Sequence, residues 1–294
     1  MQSSVKSGFV AVVGRPNVGK STIVNAAVGT KVAITSPRPQ TTRNTIRGVV
    51  HRPDAQLVLV DSPGLHKPKN ALGERLNRLV YGTLAESDAA LFVLDAGAPI
   101  GPGDRLIAER LRESGVATVV AVNKIDKASR DEVVGQLGRA GAWDFAAYVP
   151  VSGLEGTGIA ELVGELVALM PDGPAFFPAD MVTDQPEPLV IAERVREQYL
   201  SRLREELPHS LTVAVDDIEE RPGGTTYIGA RVIVERDSQK GIVIGKAGAL
   251  LKEVGAAARG EIEALLGTPV FLDLRVKVEK GWQNEPQLLD RLGF

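Results

Sequence analysis

Residues Gly14 to Ser21 read Gly-Arg-Pro-Asn-Val-Gly-Lys-Ser, which fits G-x-x-x-x-G-K-[ST], and this stretch limits the fold more than any other in the chain. The pattern works in one setting, a turn between a buried strand and a helix N-terminus, and both flanks are present. Phe9 to Val13 (Phe-Val-Ala-Val-Val) is the continuous apolar run of a buried parallel strand, and Thr22-Ile23-Val24-Asn25-Ala26-Ala27 continues as a helix. Glycines at 14 and 19 permit turns that a Cβ would obstruct, so successive N–H groups converge on phosphate oxygens beside a positive helix end. The candidate phosphate-binding set is Gly14, Asn17, Val18, Gly19, Lys20, Ser21 and Thr22. Lys20 supplies a charge to the β- and γ-phosphates, and the Ser21 hydroxyl is placed to ligate Mg²⁺.

At 294 residues the chain has room for about two domains, each with its own core. No apolar run approaches the ~18 residues of a membrane span, and the N-terminal residues lack the apolar core of a secretory signal. With no cysteine there are no disulfides or thiolate metal sites, and a cytoplasmic protein is expected. A formal charge of −3 gives no general attraction to nucleic acid or membrane, so any such binding must come from a local surface.

Downstream, Ser36-Pro37-Arg38-Pro39-Gln40-Thr41-Thr42-Arg43 reads as a loop ordered on demand, placed where nucleotide switches keep a threonine that reaches Mg²⁺ and senses the γ-phosphate. Thr42 is the choice here, with Thr41 the alternative. The strand Gln56 to Val60 delivers Asp61-Ser62-Pro63-Gly64 at its end. In this D-x-x-G, Asp61 can hold an Mg²⁺-bound water, and the Gly64 N–H can close on the γ-phosphate and release it after hydrolysis. The candidate catalytic set is therefore Lys20, Thr42 and Gly64, and the metal set Ser21, Thr42 and Asp61. Leu65 stands where many GTPases carry a water-orienting glutamine, and a leucine cannot hydrogen-bond. Slow chemistry, or chemistry with outside help, is the expectation; His66 is a candidate orienter, against the plainer reading of an inert loop histidine.

Two more buried strands follow, Ala89 to Asp95 and Ala117 to Val122, and the second leads into Asn123-Lys124-Ile125-Asp126. This N-K-x-D names the base: Asp126 can accept hydrogen bonds from the N1–H and N2 amino groups of guanine, a pair adenine lacks. The Lys124 stem can cover the base, and Asn123 can tie this loop to the phosphate loop. A further strand, Ala147 to Val151, ends at Ser152-Gly153, which resembles the Ser-Ala loop of translation-factor-like GTPases, and that resemblance implies the Gly153 N–H at guanine O6; Gly158 to Met170 repeats apolar residues at helical spacing. The guanine set is Asn123, Lys124, Asp126, Ser152 and Gly153. Strands alternating with helices predict a doubly wound, mostly parallel sheet with ligand loops at the strands' carboxyl ends. Residues 9 to 170 resemble a Ras-like GTPase of the translation-factor class, an α/β P-loop NTPase, with Gly153 where such proteins usually have alanine.

The stretch from Pro171 to Pro188 concentrates proline, so the boundaries are read as a GTPase domain over 1–172, a linker over 173–188 and a second domain over 189–294. In that second domain a helix over Leu189 to Leu207, strands over Leu211–Val215 and Tyr227–Glu235, a helix over Ala249–Leu266 and a strand over Val270–Val278 are expected, with Gly245-Lys246-Ala247-Gly248 between two helices. This order is similar to a type II KH domain, an α+β fold. That resemblance implies that Gly245 and Gly248 let a loop clamp a single-stranded backbone, with Lys246 on a phosphate, Ala247 between them, and Ile242 and Ile244 as groove lining. From 188 to 294 there are 15 Lys+Arg against 17 Asp+Glu, without the basic excess usual for a nucleic-acid binder.

A Ras-like GTPase followed by a KH module resembles the Era family of bacterial GTPases. The resemblance implies GTP and GDP as substrate and product, Mg²⁺, binding to the 3′ end of 16S rRNA and the 30S precursor during small-subunit assembly, and peripheral contact with the inner membrane, by a protein taken to be a monomer. Help for hydrolysis could come from a backbone group, from bound RNA, or from a K⁺ ion held by Asn17, as in some relatives with this asparagine; loop geometry alone is the other reading of Asn17. Two alternatives stay open: a GTPase whose KH-like domain binds protein, and an RNA-binding module that uses GTP mainly as a structural ligand.

Overall fold

The computed structural model describes residues 5–38, 41–64, 68 and 70–294. Two compact units emerge, one of residues up to Lys69 together with Gly73–Asp184, the other of Asn70–Leu72 and Gln185–Phe294. The division at Asp184 falls within the proline-rich stretch. Both ends of that stretch are structured: Asp172–Gly173 form a short strand, and Glu187 opens a helix.

In the first unit the order is β1 (Val5–Val13), α1 (Lys20–Val28), β2 (Ile46–His51), β3 (Ala55–Asp61), α2 (Ala71–Ala85), β4 (Ala89–Asp95), α3 (Pro102–Ser114), β5 (Ala117–Asn123), α4 (Arg130–Gly141), β6 (Ala147–Val151), α5 (Ile159–Ala168) and β7 (Asp172–Gly173). The sheet runs β2-β3-β1-β4-β5-β6, parallel except that β2 lies antiparallel to β3 and β7 pairs antiparallel with β1. The near-unbroken apolar strands are explained by burial on both faces. Along β1 and β4, Val10, Val12, Leu91 and Val93 join Ile23 of α1 and Leu162 of α5 in one core, while Ala11, Val13, Ala90 and Phe92 join Ile107 of α3 and Ala140 of α4 in the other. Each such valine or leucine removed from water contributes about 1.5–3 kcal/mol before conformational entropy is counted. The registers Val12↔Asp61, Asp95↔Asn123 and Asn123↔Val151 bring the strands' carboxyl ends to one edge, where all the candidate loops emerge.

The second unit contains α6 (Glu187–Arg202), α7 (Leu207–Ser210), β8 (Thr212–Arg221), β9 (Thr225–Val234), α8 (Asp237–Ile244), α9 (Ala249–Leu266), β10 (Val270–Val278) and α10 (Pro286–Arg291). β8 and β9 are antiparallel around the Pro222-Gly223-Gly224 turn, and β10 runs parallel to β9. Ile191, Val195 and Tyr199 of α6 and Val254, Ala258 and Ile262 of α9 cover one face of this sheet through Ile228, Ala230 and Val232. The first helix is shorter than its apolar period suggests. It ends at Arg202, and Glu205 adopts φ +56°, so the chain turns before Leu207 begins a separate turn of helix.

Candidate functional site

At the carboxyl edge of the first sheet, the loop from Gly14 to Gly19 leaves β1 and opens α1, whose first residues are Lys20 and Ser21. Lys20 is buried and its Nζ donates to the carbonyls of Gly14 and Arg15, both at 3.2 Å. Burial lowers its pKa to about 8, with the nearby Asp61 charge pulling the other way. Such an ammonium is short of negative partners, which a phosphate supplies.

Asp61, at the end of β3, is fully buried. Its Oδ2 accepts from Ser21 Oγ (2.5 Å) and Thr42 Oγ1 (3.2 Å), while those two hydroxyls lie 3.0 Å apart. Its Oδ1 is buried with no hydrogen-bond partner. Burial raises the carboxyl pKa above its ordinary 3.8, against the lowering effects of Lys20, Ser21, Thr42 and the Ser62 backbone. The three candidate metal residues therefore meet at one point, with an orphaned carboxylate oxygen among them. That donor set of two hydroxyls and one carboxylate fits Mg²⁺, which binds few protein oxygens and keeps waters. Among the described residues no group of three or more His, Cys, Asp or Glu forms a metal cluster. Thr41 is placed differently: its hydroxyl donates to the Arg38 carbonyl at 2.7 Å.

Gly64 lies against the phosphate loop, where a Cβ would come 2.9 Å from Pro16 N. Asn17, at φ +65°, donates from Nδ2 to the Pro37 carbonyl at 2.8 Å, joining the phosphate loop to the segment that leads to Thr42. Leu65 and His66 lie outside the described residues.

On the neighbouring strands, Asn123 Nδ2 donates to the Val18 carbonyl (2.8 Å), and Asp126 Oδ1 accepts from Ser152 Oγ (2.6 Å). Lys124 adopts φ +68°, and its Nζ donates to the Asn17 carbonyl and to Asp95 Oδ2, each at 2.6 Å. Asp95 went unremarked in the sequence. Its signal was positional, as the last residue of a buried strand in register with Asn123. Gly153 N–H donates to Asn123 Oδ1 at 2.9 Å, so a guanine O6 at that point would share a donor already in use. A Cβ at 153 would lie close to α1, 3.0 Å from Ile23 Cγ1 and 3.1 Å from Ile23 N. A second unremarked brace is the ion pair of Arg15 Nε with fully buried Asp104 at 2.8 Å, which anchors the phosphate loop to the start of α3.

In the second unit, α8 stops at Gly245 (φ 76°, ψ 170°) and α9 begins after Gly248 (φ 81°). Lys246 and Ala247 are exposed at the tip of this turn. Gly245 is required twice over: its backbone is outside the range of other residues, and a Cβ would meet Leu250 Cβ and N at 2.8 Å. Val243 points into the core while Ile242 is 53 % exposed, so the apolar residues before the loop divide between packing and display. Ile244 is half-buried.

A phosphate loop, a hydroxyl–carboxylate cation corner and an N-K-x-D loop on one doubly wound sheet, followed by a Gly-x-x-Gly turn in an α+β unit with one parallel strand pair, define a P-loop GTPase with a KH domain. Residues 9–124 match the family described as 50S ribosome-binding GTPase, and residues 206–283 match the KH domain family. The GTPase Era of Mycobacterium avium (strain 104) is 53% identical, covering 98% of this chain and 99% of its own, and that of Mycobacterium tuberculosis (strain ATCC 25618 / H37Rv) is 54% identical, covering 98% of each. The crystal structure of an Aquifex aeolicus Era variant bound to GDP and AlF4⁻ superposes with a TM-score of 0.95 at 38% identity, covering 98% of this chain and 99% of the other. A structure of Era with MgGDPNP and nucleotides 1506–1542 of 16S ribosomal RNA gives 0.94 at 37% identity, with the same coverage. The chain belongs to the Era family of GTPases, and it hydrolyses GTP.

Proposed function

We propose that this chain is a GTP-operated switch that binds the 3′ end of 16S rRNA and the 30S precursor in small-subunit assembly, with nucleotide state controlling RNA access. The observation that carries the reading is the meeting of Ser21, Thr42 and Asp61 beside buried Lys20: the residue that would sense the γ-phosphate and the residues that would hold its metal are already in contact. Mg²⁺, when bound, supplies charge stabilisation at the phosphates. Gly14, Asn17, Val18, Gly19, Lys20, Ser21 and Thr22 hold the phosphates; Asn123, Lys124, Asp126, Ser152 and Gly153 select guanine. Lys20, Thr42 and Gly64 respond to the γ-phosphate, and loss of it frees the loops carrying Thr42 and Gly64.

Turnover is slow without help, because Leu65 cannot orient water. Asn17 supports K⁺ as one source of that help: its side-chain nitrogen is committed to the Pro37 carbonyl, which leaves the side-chain Oδ1 as the ligand for a cation. RNA is held by Gly245 to Gly248 with Lys246 on a phosphate, and by exposed Ile242 and half-buried Ile244 beside the bases. Among the described residues no helix is long and apolar enough to cross a membrane, so contact with the inner membrane would be peripheral. Crosslinking of the full chain to the 16S rRNA 3′ end, in GTP- and GDP-loaded forms, tests this. A crosslink at Lys246 that changes at least severalfold with the nucleotide supports the switch. Crosslinks indifferent to the nucleotide, or absent from 245–248, overturn it.

A further inference from the structure

In the second unit α6 and α9 cover the sheet face reached by Ile228, Ala230 and Val232, and successive strand residues point to opposite faces. On the other face, near the Pro222-Gly223-Gly224 turn, the register sets Glu219, Tyr227 and Phe271 side by side across β8, β9 and β10, with Asp217, Gly229 and Asp273 in the next row. Tyr227 leans over the glycine: a Cβ at 229 would lie 3.3 Å from its Oη, which donates to Asp273 Oδ2 at 3.2 Å. Its ring stacks with that of Phe271, the centroids 6.0 Å apart and the planes inclined by 17°, and Phe271 is 55 % exposed. The two rings form a platform open to water, held at one end by the tyrosine hydroxyl.

Two observations say what this platform takes. Arg221 of the same chain already rests on it, its guanidinium carbon 4.1 Å from the Tyr227 centroid and 5.6 Å from that of Phe271, so the rings accept a planar cation. Beside them lies negative charge that the chain leaves unneutralised. Arg231 is committed to Asp216 at 2.6 Å and Arg275 to Asp273 at 2.8 Å, whereas exposed Asp217 and Glu219 form no ion pair among the described residues. Those two acids are two residues apart on β8, an edge strand, and so share a face at a spacing of ~7 Å. Alternate side chains of an extended peptide repeat at the same distance.

We propose that this sheet face docks an extended, arginine-rich segment of a partner protein, its guanidinium groups on Asp217 and Glu219 and its side-chain stems along Phe271. Carboxylates at that spacing repel phosphate, so an RNA strand is the wrong occupant. Gly245 to Gly248 joins α8 to α9, and Val243 and Val254 of those helices pack on the covered face. The RNA loop of the proposed function and this surface therefore lie on opposite sides of one sheet and can be filled together. That last step rests on the RNA reading; the peptide site itself does not.

The test titrates the full chain with a capped ten-residue peptide of alternating arginine and threonine, matched in length to β9, and with the same peptide carrying glutamate for arginine. The arginine peptide is expected to bind one-to-one, and the glutamate peptide at least about tenfold more weakly. Affinity for the arginine peptide falls about tenfold in D217N/E219Q and severalfold in F271S, all at exposed positions, with circular dichroism unchanged. Absence of saturable binding, or equal affinity in native chain and variants, overturns the site. Loss in D217N/E219Q with F271S indifferent is general charge attraction and overturns it too. Native dimers that F271S dissolves, seen by sedimentation, overturn it in favour of a second copy. An oligonucleotide of the 16S rRNA 3′ end is then titrated into the same proteins. Affinity in F271S within about twofold of native supports the assignment, whereas a tenfold loss makes the face an RNA path and overturns it. Mutual exclusion of peptide and RNA refutes the opposite-face arrangement, while absence of any RNA binding refutes the RNA reading and leaves the peptide result standing.

Discussion

Two buried charges set the chemistry at the residue scale. Asp61 has its carboxyl pKa raised by burial, so the folded state holds its proton more tightly than the unfolded chain does. The stability this gives is present at low pH and lost as pH rises through the raised value. In EDTA, the contribution of Asp61 to thermal stability should fall as pH rises through its raised pKa, and Asp61→Asn should remove that pH-dependent contribution. With Mg²⁺ and GTP the order reverses, the variant binding at least ~10-fold more weakly because a charge-assisted metal contact is lost. Scanning calorimetry across pH, with and without the metal, reads both. Lys20 predicts a proton effect of the other kind. Its pKa of about 8 rises once a phosphate lies beside it, so binding of GDP takes up most of one proton at pH 9 and none at pH 6.5. Calorimetry in two buffers of different ionisation enthalpy measures the uptake. At 153, the 3.0 Å approach to Ile23 predicts that Gly153→Ala costs about 1 kcal/mol through overpacking, a loss of roughly 2–4 °C in Tm, with guanine still preferred over adenine.

Single elements show where the sequence was readable. Strand β6, at the sheet edge, is only partly buried; strands β3, β4 and β5, and β1 from Phe9 onward, stood out because nearly all of their residues are buried and their apolar runs are close to unbroken. Edge strand β2 did not: Arg47 faces outward and Gly48 interrupts the run, so Ile-Arg-Gly-Val-Val-His has neither a clean alternation nor a continuous core. Helix α2 was missed for a related reason, with glycines at 73 and 82 inside it. The motifs of the nucleotide site stand out by spacing, since the phosphate loop, D-x-x-G, N-K-x-D and Ser152-Gly153 each lie at the carboxyl end of a strand, whereas Thr42 sits in the connection between α1 and β2. Their braces, Asp95 and Asp104, were not, because a lone acid at a strand or helix end looks like any cap until its partner is known. The loop joining α8 and α9 makes a prediction at this scale. Gly245→Ala must strain a positive φ and displace Leu250, costing about 1–3 kcal/mol, whereas at 248 a side chain meets the strain of φ +81° but no steric clash within 4 Å. Gly248→Asp should therefore keep its circular dichroism and lose only a few degrees of Tm. It should also lose at least ~10-fold in RNA affinity, through repulsion of phosphate. A variant that binds RNA normally would rule the loop out as the clamp.

For the whole molecule, charge and stitching matter more than any one contact. The C-terminal region lacks a basic excess and exposes Lys246 at the loop tip, so few counterions are displaced when RNA binds. Affinity for the rRNA strand should fall less than about tenfold between 50 and 200 mM salt, a shallow slope for a nucleic-acid binder. A steep slope would mean that a larger basic surface does the holding. The chain after α1 is also pinned early. Asn25 accepts from the N–H groups of Val32 and Ala33, each at 2.9 Å, and donates to the Ala33 carbonyl at 2.8 Å; Asn17 then catches the Pro37 carbonyl. Immobilising a residue costs about 1–2 kcal/mol of backbone entropy. Because Asn25 and Asn17 fix the upstream part of this connection and Thr42 is itself bonded to Asp61, a γ-phosphate under the proposed switch acts on few residues there. The difference between triphosphate and diphosphate is thereby concentrated on a few residues instead of being dissipated along the whole segment.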